Sequence, residues 1–406
     1  MITPAAGPIA PPHRPMHICL VLGPYLPPPP GPAGAVERLW METAEHFVKA
    51  GHRVTVVCRA LDGGESYPTG GPFEFRPVRG GRRSNSLPKD LVGDLGYTRR
   101  ALRRIPDCDV IVGNTFWLPI LRAGRRKSRN QVVCHNLQRF PKGGWHLRLY
   151  RKLDRVLAVS TAVRNAVENQ YPALLPRTTI VPNPIDASVF TMTRPPKSDD
   201  PAQPTVLFTG RVTAEKGLHL LVEAAAQLAE DVAGLRLVVV GESAADRGGG
   251  GPEYVAKLNR LAGDKLTLDF RDAIYDRPGL AEALRGGDVY CYPSIADFGE
   301  SFGVAPLEAM GVGCPTVVSG LECFQEFARP GENCLRFDHR ADDAVDQLTA
   351  HLRTLFADPA LARRLGDRAA EDAKRFDARH VAQQYLDVFT ATLAEKRGVA
   401  GEVAAT

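Results

Sequence analysis

No stretch of the sequence approaches the ~18 consecutive apolar residues of a membrane span, which excludes an integral helical membrane protein. There is no C-x-x-C pair. The eight cysteines are scattered, and Cys19, Cys134 and Cys291 fall in apolar, strand-like runs. That usage argues against a zinc site and for free, buried thiols in a reducing cytosol. No G-x-G-x-x-G follows a strand pattern, which removes the main sign of an NAD-linked dehydrogenase. Met1 to Pro15 has no apolar core behind a basic start, so no signal peptide is expected. Residues 1–15 read as a disordered Pro/Ala leader.

The remainder has the composition of an ordinary folded protein, with 44% apolar and 24% charged residues in 406. That length suggests two or three domains. The net charge of +5 conceals an asymmetry. Residues 1–190 hold 27 Lys/Arg against 13 Asp/Glu, and the rest hold 24 against 33. A basic first half and an acidic second half point to two domains with different partners. Arg99, Arg100, Arg103 and Arg104, then Arg122, Arg125, Arg126, Lys127 and Arg129, make an anionic acceptor or an anionic membrane surface a candidate partner. A solvated surface is the plainer reading.

Periodicity indicates α/β architecture. His17 to Leu22 is an apolar strand, followed by a turn-rich Pro/Gly loop through Gly34. Val36 to Ala50 then carries Val36, Leu39, Trp40, Ala44, Phe47 and Val48 on one helical side. Arg53 to Cys58 is the next strand, which completes a βαβ unit and implies a parallel sheet. Leu61 to Gly96 shows little periodicity and reads as strands and loops, followed by a basic helix over Tyr97 to Ile105. Gln131 to Asn136 is a strand ending in His135, a position that faces a cleft in parallel sheets. Asp107-Cys108-Asp109 has the form of a D-x-D metal motif, but it precedes a strand and reads as a turn. A Pro/Asp/Lys linker at Pro195 to Pro204 marks the expected domain boundary.

The chemistry concentrates in the second half. Gly210-Arg211, then Lys216-Gly217, follow the strand Thr205 to Thr209 and precede a helix from Leu218. Arginine offers a planar fork and lysine a point charge, both suited to a diphosphate. Further on, Gly299-Glu300-Ser301-Phe302-Gly303-Val304 leads into Pro306-Leu307-Glu308-Ala309-Met310, with the two glutamates eight positions apart. This places Glu300 on a glycine-rich loop and Glu308 in a short helix that Pro306 suits. Backbone N–H groups and a helix N terminus then stand at a site edge, where a diphosphate is stabilised.

This spacing, with the G-R…K-G box before it, resembles the E-x7-E signature of the retaining glycosyltransferases of family 4. The resemblance covers about residues 16–393 and is strongest over 210–337. It implies a GT-B fold: two Rossmann-like, doubly wound domains facing a central cleft. The acceptor-binding domain would span 16–194 and the nucleotide-sugar domain 204–376, with a helix over 377–397 crossing back to the first. The implied donor site comprises Gly34, Gly210, Arg211, Lys216, Glu300, Phe302, Gly303, Val304 and Glu308. Glu300, His135, Arg211 and Lys216 would carry catalysis, without a metal or cofactor. The implied reaction moves a hexose-type sugar from a nucleotide diphosphate-sugar to a hydroxyl acceptor with retention, in the cytoplasm or at the inner membrane face. No nucleic-acid partner is expected. A GT-B nucleotide-sugar epimerase and a nucleotide-binding protein without transfer activity are the alternatives. Asn136 and Arg271 depart from the family pattern, as does Pro184, which stands where glycine is usual.

Overall fold

A computed structural model describes residues 14–31, 33–84, 86–122, 131–141, 144–192 and 203–398. Residues 1–13 of the leader, most of the expected linker, and Arg125, Arg126, Lys127 and Arg129 lie outside the described residues.

β1 (His17–Val21) is buried along its whole length, and short apolar runs of this kind form the inner strands of a sheet covered on both faces. Around it stand β2 (Arg53–Arg59), β3 (Phe73–Val78), β4 (Val110–Gly113), β5 (Val132–Leu137), β6 (Arg155–Ala158) and β7 (Thr178–Ile180). All neighbours pair in parallel, in the order β3-β2-β1-β4-β5-β6-β7. The helices of this half are α1 (Ala35–Lys49), α2 (Leu87–Leu102), α3 (Leu118–Arg122), α4 (Trp145–Leu149) and α5 (Thr161–Gln170).

The second sheet repeats the design with β8 (Thr205–Thr209), β9 (Arg236–Val240), β10 (Thr267–Arg271), β11 (Val289–Tyr292), β12 (Thr316–Ser319) and β13 (Leu335–Phe337). Its order is β10-β9-β8-β11-β12-β13, again parallel throughout. Its helices are α6 (Leu218–Leu228), α7 (Gly251–Ala262), α8 (Arg277–Arg285), α9 (Val304–Gly311), α10 (Ala344–Ala357) and α11 (Pro359–Ala373). The last described helix is α12 (Ala378–Arg397).

The chain divides into one unit of Met1–Pro184 with Ala378–Thr406, and another of Ile185–Asp377. Residues 185–192 therefore pack with the second unit, ahead of the expected end at 194. Phe190 is buried there, beneath the guanidinium of Arg277 at 4.9 Å. Helix α12 completes the first unit's core. Val381, Tyr385, Phe389 and Leu393 recur every fourth residue, so they share one face, and all are buried. Tyr385 meets Trp40 and Phe47 of α1 at centroid distances of 5.0 and 6.3 Å, and Phe389 meets Phe47 at 6.1 Å. Lys396 fixes the end of α12 through Asp154, at 2.9 Å.

Three elements differ from expectation. α2 begins at Leu87, not Tyr97, because its inner face is partly polar. Asp94 and Thr98 are buried there, and Asp94 accepts the N–H groups of Phe116 at 2.8 Å and Trp117 at 3.3 Å. α7 starts at Gly251, at the end of a glycine run that carries no helical periodicity of its own. α11 was not expected, because its buried face, Ala362, Leu365, Gly366, Ala369, Ala370 and Ala373, is built almost wholly of alanine and glycine and gives little apolar contrast; Asp358 caps it by accepting the N–H of Leu361 at 2.9 Å, and Pro359 opens it.

Candidate functional site

β8 and β11 are neighbours from which the second chain path runs outward in both directions. Ligands of doubly wound sheets bind beyond the strand C termini at such a reversal. Two loops leave this edge. The first runs from Gly210 to a short turn at Ala214–Lys216 and enters α6 through Gly217. The second runs from Pro293 to Gly303 and enters α9. They are tied together, because the Ile295 N–H donates to the Glu215 carbonyl at 3.0 Å.

Two glycines make these turns possible. Gly217 has φ 68°, and a Cβ there would collide with the Pro293 carbonyl. Gly303 has φ 88°, and a Cβ there would collide with the Phe324 ring. Both positions combine left-handed backbone with a close approach, which only glycine meets cheaply.

Lys216 and Glu300 come together where the loops meet. The Lys216 Nζ lies 2.5 Å from Glu300 Oε2, with side chains only 11% and 13% exposed. Tyr292, the last residue of β11, donates its hydroxyl to the same Oε2 at 2.9 Å. The Lys216 Nζ also stands 5.3 Å from the Tyr292 ring centroid, within cation–π range. Burial and the adjacent Glu300 carboxylate raise the Tyr292 phenol well above its usual range, so it remains a donor.

Arg211 sits differently. Its side chain is 52% exposed and is held by Glu215 at 2.8 Å and by the Gly248 carbonyl at 3.2 Å. Gly210 opens the loop, donating its N–H to the Val240 carbonyl at 3.0 Å. Glu308 lies on α9, nearly buried, 3.9 Å from an Arg277 nitrogen. Among the described residues no side chain caps the N terminus of α9 at Gly303 and Val304, which leaves its first-turn N–H groups open to an anion.

Phe302, expected among the donor-binding residues, needs correction as a side chain. It is buried at 1% exposure against Phe327 and Phe376, at 5.6 and 5.9 Å, because this turn closes the core beneath the loop. Only its backbone belongs to the loop. Tyr292 was missed by sequence reasoning. The available signal was Tyr290 and Tyr292 two apart at a strand end, which places both rings on one face.

Gly34 and His135 lie in the first unit. Gly34 precedes α1, and the Glu37 carboxylate folds back over it, 2.6 Å from where a Cβ would stand. That helix N terminus is thus occupied by the chain's own carboxylate, and Gly34, expected in the donor site, offers no open amide cradle. His135 is inside β5 and 6% exposed, its ring 4.9 Å from Tyr150. Burial, and secondarily His146, lower its pKa to about 3, so the ring is neutral at ordinary pH. Its Nδ1 has no hydrogen-bond partner among the described residues.

Asp109 accepts the His17 N–H at 2.8 Å, which makes the D-x-D stretch a turn pinned to β1. Among the described residues no cluster of His, Cys, Asp or Glu could hold a metal ion, and no helix is long and apolar enough to cross a membrane. All eight cysteines are buried and free. Arg122 is also buried, donating to Gln131 at 2.6 Å, and so leaves the expected basic surface.

Comparison with known proteins supplies the family. A family model described as Glycosyltransferase Family 4 matches residues 36–189, and one described as Glycosyl transferases group 1 matches residues 191–372. An alpha-maltose-1-phosphate synthase of Mycolicibacterium smegmatis is 29% identical over 249 residues, which span 58% of this chain and 62% of that relative. The alignment thus reaches less than two thirds of that relative's length. A phosphatidyl-myo-inositol mannosyltransferase of Mycobacterium tuberculosis is 31% identical over 312 residues, 74% of this chain and 77% of the relative. Among solved structures, a sucrose-phosphate synthase from Thermosynechococcus elongatus superposes with TM-score 0.74 at 20% identity, covering 93% of this chain and 99% of that one. The Anabaena protein HepE, in complex with UDP and glucose, gives 0.69 at 18% identity, covering 93% and 100%. The chain belongs to the GT-B glycosyltransferases, with a family 4 first half and a group 1 second half.

Proposed function

We propose that the protein transfers a hexose-type sugar from a nucleotide diphosphate-sugar to a hydroxyl acceptor, with retention and without a metal. The observation that carries this reading is the nearly buried Lys216–Glu300 pair at the β8/β11 reversal, with the uncapped N terminus of α9 on the same loop. In this reading the diphosphate lies against Lys216, Arg211 and the first-turn amides of α9. These groups stabilise the charge that develops as the bond from the sugar C1 to the phosphate oxygen breaks. Glu300 accepts hydrogen bonds from the sugar hydroxyls, and Glu308 from the ribose.

Glu300 is held by a cation and a phenol, which suits a fixed acceptor of hydrogen bonds better than a nucleophile. That favours attack by the acceptor oxygen on the face the leaving group departs from. The acceptor proton passes to the leaving phosphate as the new bond to C1 forms. Neutral His135 is assigned to the acceptor side.

The HepE structure contains UDP and glucose, which makes UDP-sugars the first donors to test. Thermal-shift titration with UDP-, GDP-, ADP- and dTDP-sugars is expected to reveal one preferred donor, and its turnover is expected to survive a chelator. Stabilisation by NAD alone, or by no nucleotide sugar, defeats the reading. Release of free nucleotide with no acceptor glycosylated favours the epimerase alternative.

We infer further that the first unit meets an anionic membrane surface from the cytoplasmic side. Leu87, Val92, Trp145 and Leu149 are 66%, 69%, 53% and 42% exposed. Contacts link their segments: the Trp117 indole donates to the Leu91 carbonyl at 2.8 Å, and Phe116 lies 5.8 Å from Trp145. Lys89, Arg148 and Arg151 are exposed beside them. Apolar tips among cations are the pattern of an interfacial surface.

A further inference from the structure

Glu300 Oε2 is doubly engaged, by the Lys216 ammonium at 2.5 Å and the Tyr292 hydroxyl at 2.9 Å. No group of the described residues hydrogen-bonds Oε1. A carboxylate held by one contact can swivel about its last torsion, which is broad and roughly two-fold. One held by two donors from different directions cannot swivel without losing both. The second donor is itself rigid. The Tyr292 ring stacks on Phe208 at 5.6 Å and on Tyr290 at 6.5 Å, both at 8°, and Phe324 abuts it edge-on at 6.0 Å. Tyr290 is anchored in turn through its hydroxyl to the Thr209 hydroxyl at 3.0 Å.

We propose that Tyr292 is a positioning residue: it clamps Glu300 Oε2, with Lys216 lying over its ring, so that Oε1 alone is presented to the donor's sugar hydroxyls. This rests on the glycosyl-transfer reading above. Tyr292 touches no substrate, and its effect reaches the sugar only through Glu300. The diphosphate and base are served by other groups, so loss of the clamp acts on the sugar half of the donor and spares the nucleotide half.

The test compares two ligands, the preferred nucleotide sugar and the matching free nucleoside diphosphate, in wild type, Tyr292→Phe and Tyr290→Phe. A hydrogen bond to a charged group corresponds to roughly a tenfold change or more. Tyr292→Phe is therefore expected to weaken nucleotide-sugar binding about tenfold and to lower kcat. Binding of the free diphosphate should stay within about twofold. Tyr290→Phe, which loosens the same stack without touching Glu300, is expected to leave the ratio of the two affinities unchanged. In a Glu300→Gln background, Tyr292→Phe should add little, because the clamped charge is already gone. Equal weakening of both ligands by Tyr292→Phe, or no change in either, overturns the clamp. Failure of the wild-type protein to bind any nucleotide sugar is a different result, and defeats the transfer reading with it.

Discussion

Lys216 and Arg211 share one loop and one proposed role, but their surroundings predict different mutants. Arg211 is half in water and paired with Glu215, an exposed ion pair worth at most about 1 kcal/mol to stability. Arg211→Ala should therefore leave unfolding almost unchanged while lowering kcat by the equivalent of about 2–4 kcal/mol, the scale of a lost preorganised donor. Lys216 neutralises a carboxylate that is nearly buried. Lys216→Ala should lose activity on the same scale and also destabilise the second unit by about 3–5 kcal/mol, since Glu300 is left without its cation. Denaturant unfolding alongside steady-state kinetics separates the two. Equal stabilities for both variants would remove the buried pair from the account. The sequence made both cations legible, because the glycines around them are punctuation that survives in one dimension. It could not show which of them is buried, since neighbours such as Tyr292 and Glu300 arrive from another strand. Phe302 illustrates the same gap. Its place between Glu300 and Gly303 suggests a ligand, and only the packing of Phe327 and Phe376 shows that the ring turns inward.

At the scale of elements, α12 is the piece most open to test. Its aromatic face lies against α1 and supplies a full side of the first unit's core. Phe389 is completely buried, so Phe389→Ala should cost about 3–5 kcal/mol through lost burial and the cavity left behind. A midpoint shift in urea unfolding checks this, and a shift under about 1 kcal/mol would mean that α12 is not integral to that core. β1, β2, β5 and β8 were legible because buried parallel strands are near-continuous apolar runs, whereas β3, only partly buried, lay in a stretch of little periodicity. α12 was legible as a helix, with its address coming from the resemblance. The first turns of α2 and all of α11 were not. One hides a carboxylate on its inner face to serve the Phe116 and Trp117 amides, and the other has an inner stripe made almost wholly of alanine and glycine.

The whole molecule carries a charge asymmetry that the structure redistributes. Arg122 leaves the surface for Gln131, while Arg100, donating to the Arg79 carbonyl at 2.8 Å, stays exposed with Arg99, Arg103 and Arg104. Leu87, Val92, Trp145 and Leu149 are exposed as well, on segments that also carry the exposed Lys89, Arg148 and Arg151. Each cation near an anionic bilayer contributes about 1 kcal/mol, so three cations with their apolar tips should hold the protein to acidic vesicles at low salt. Co-sedimentation should fall as salt shortens the Debye length toward about 8 Å, and Trp145→Ala with Leu149→Ala should reduce recovery at every salt concentration. Equal recovery with neutral and acidic vesicles, or none at low salt, points to a soluble acceptor instead.

The first unit is opened by β1 at residue 17 and closed by α12 at residue 393, while the second unit is continuous between them. During synthesis, the middle of the chain therefore has every residue of its core before the beginning has the last of its own. Trp40 and Phe47 must wait, uncovered, for rings encoded more than three hundred residues downstream.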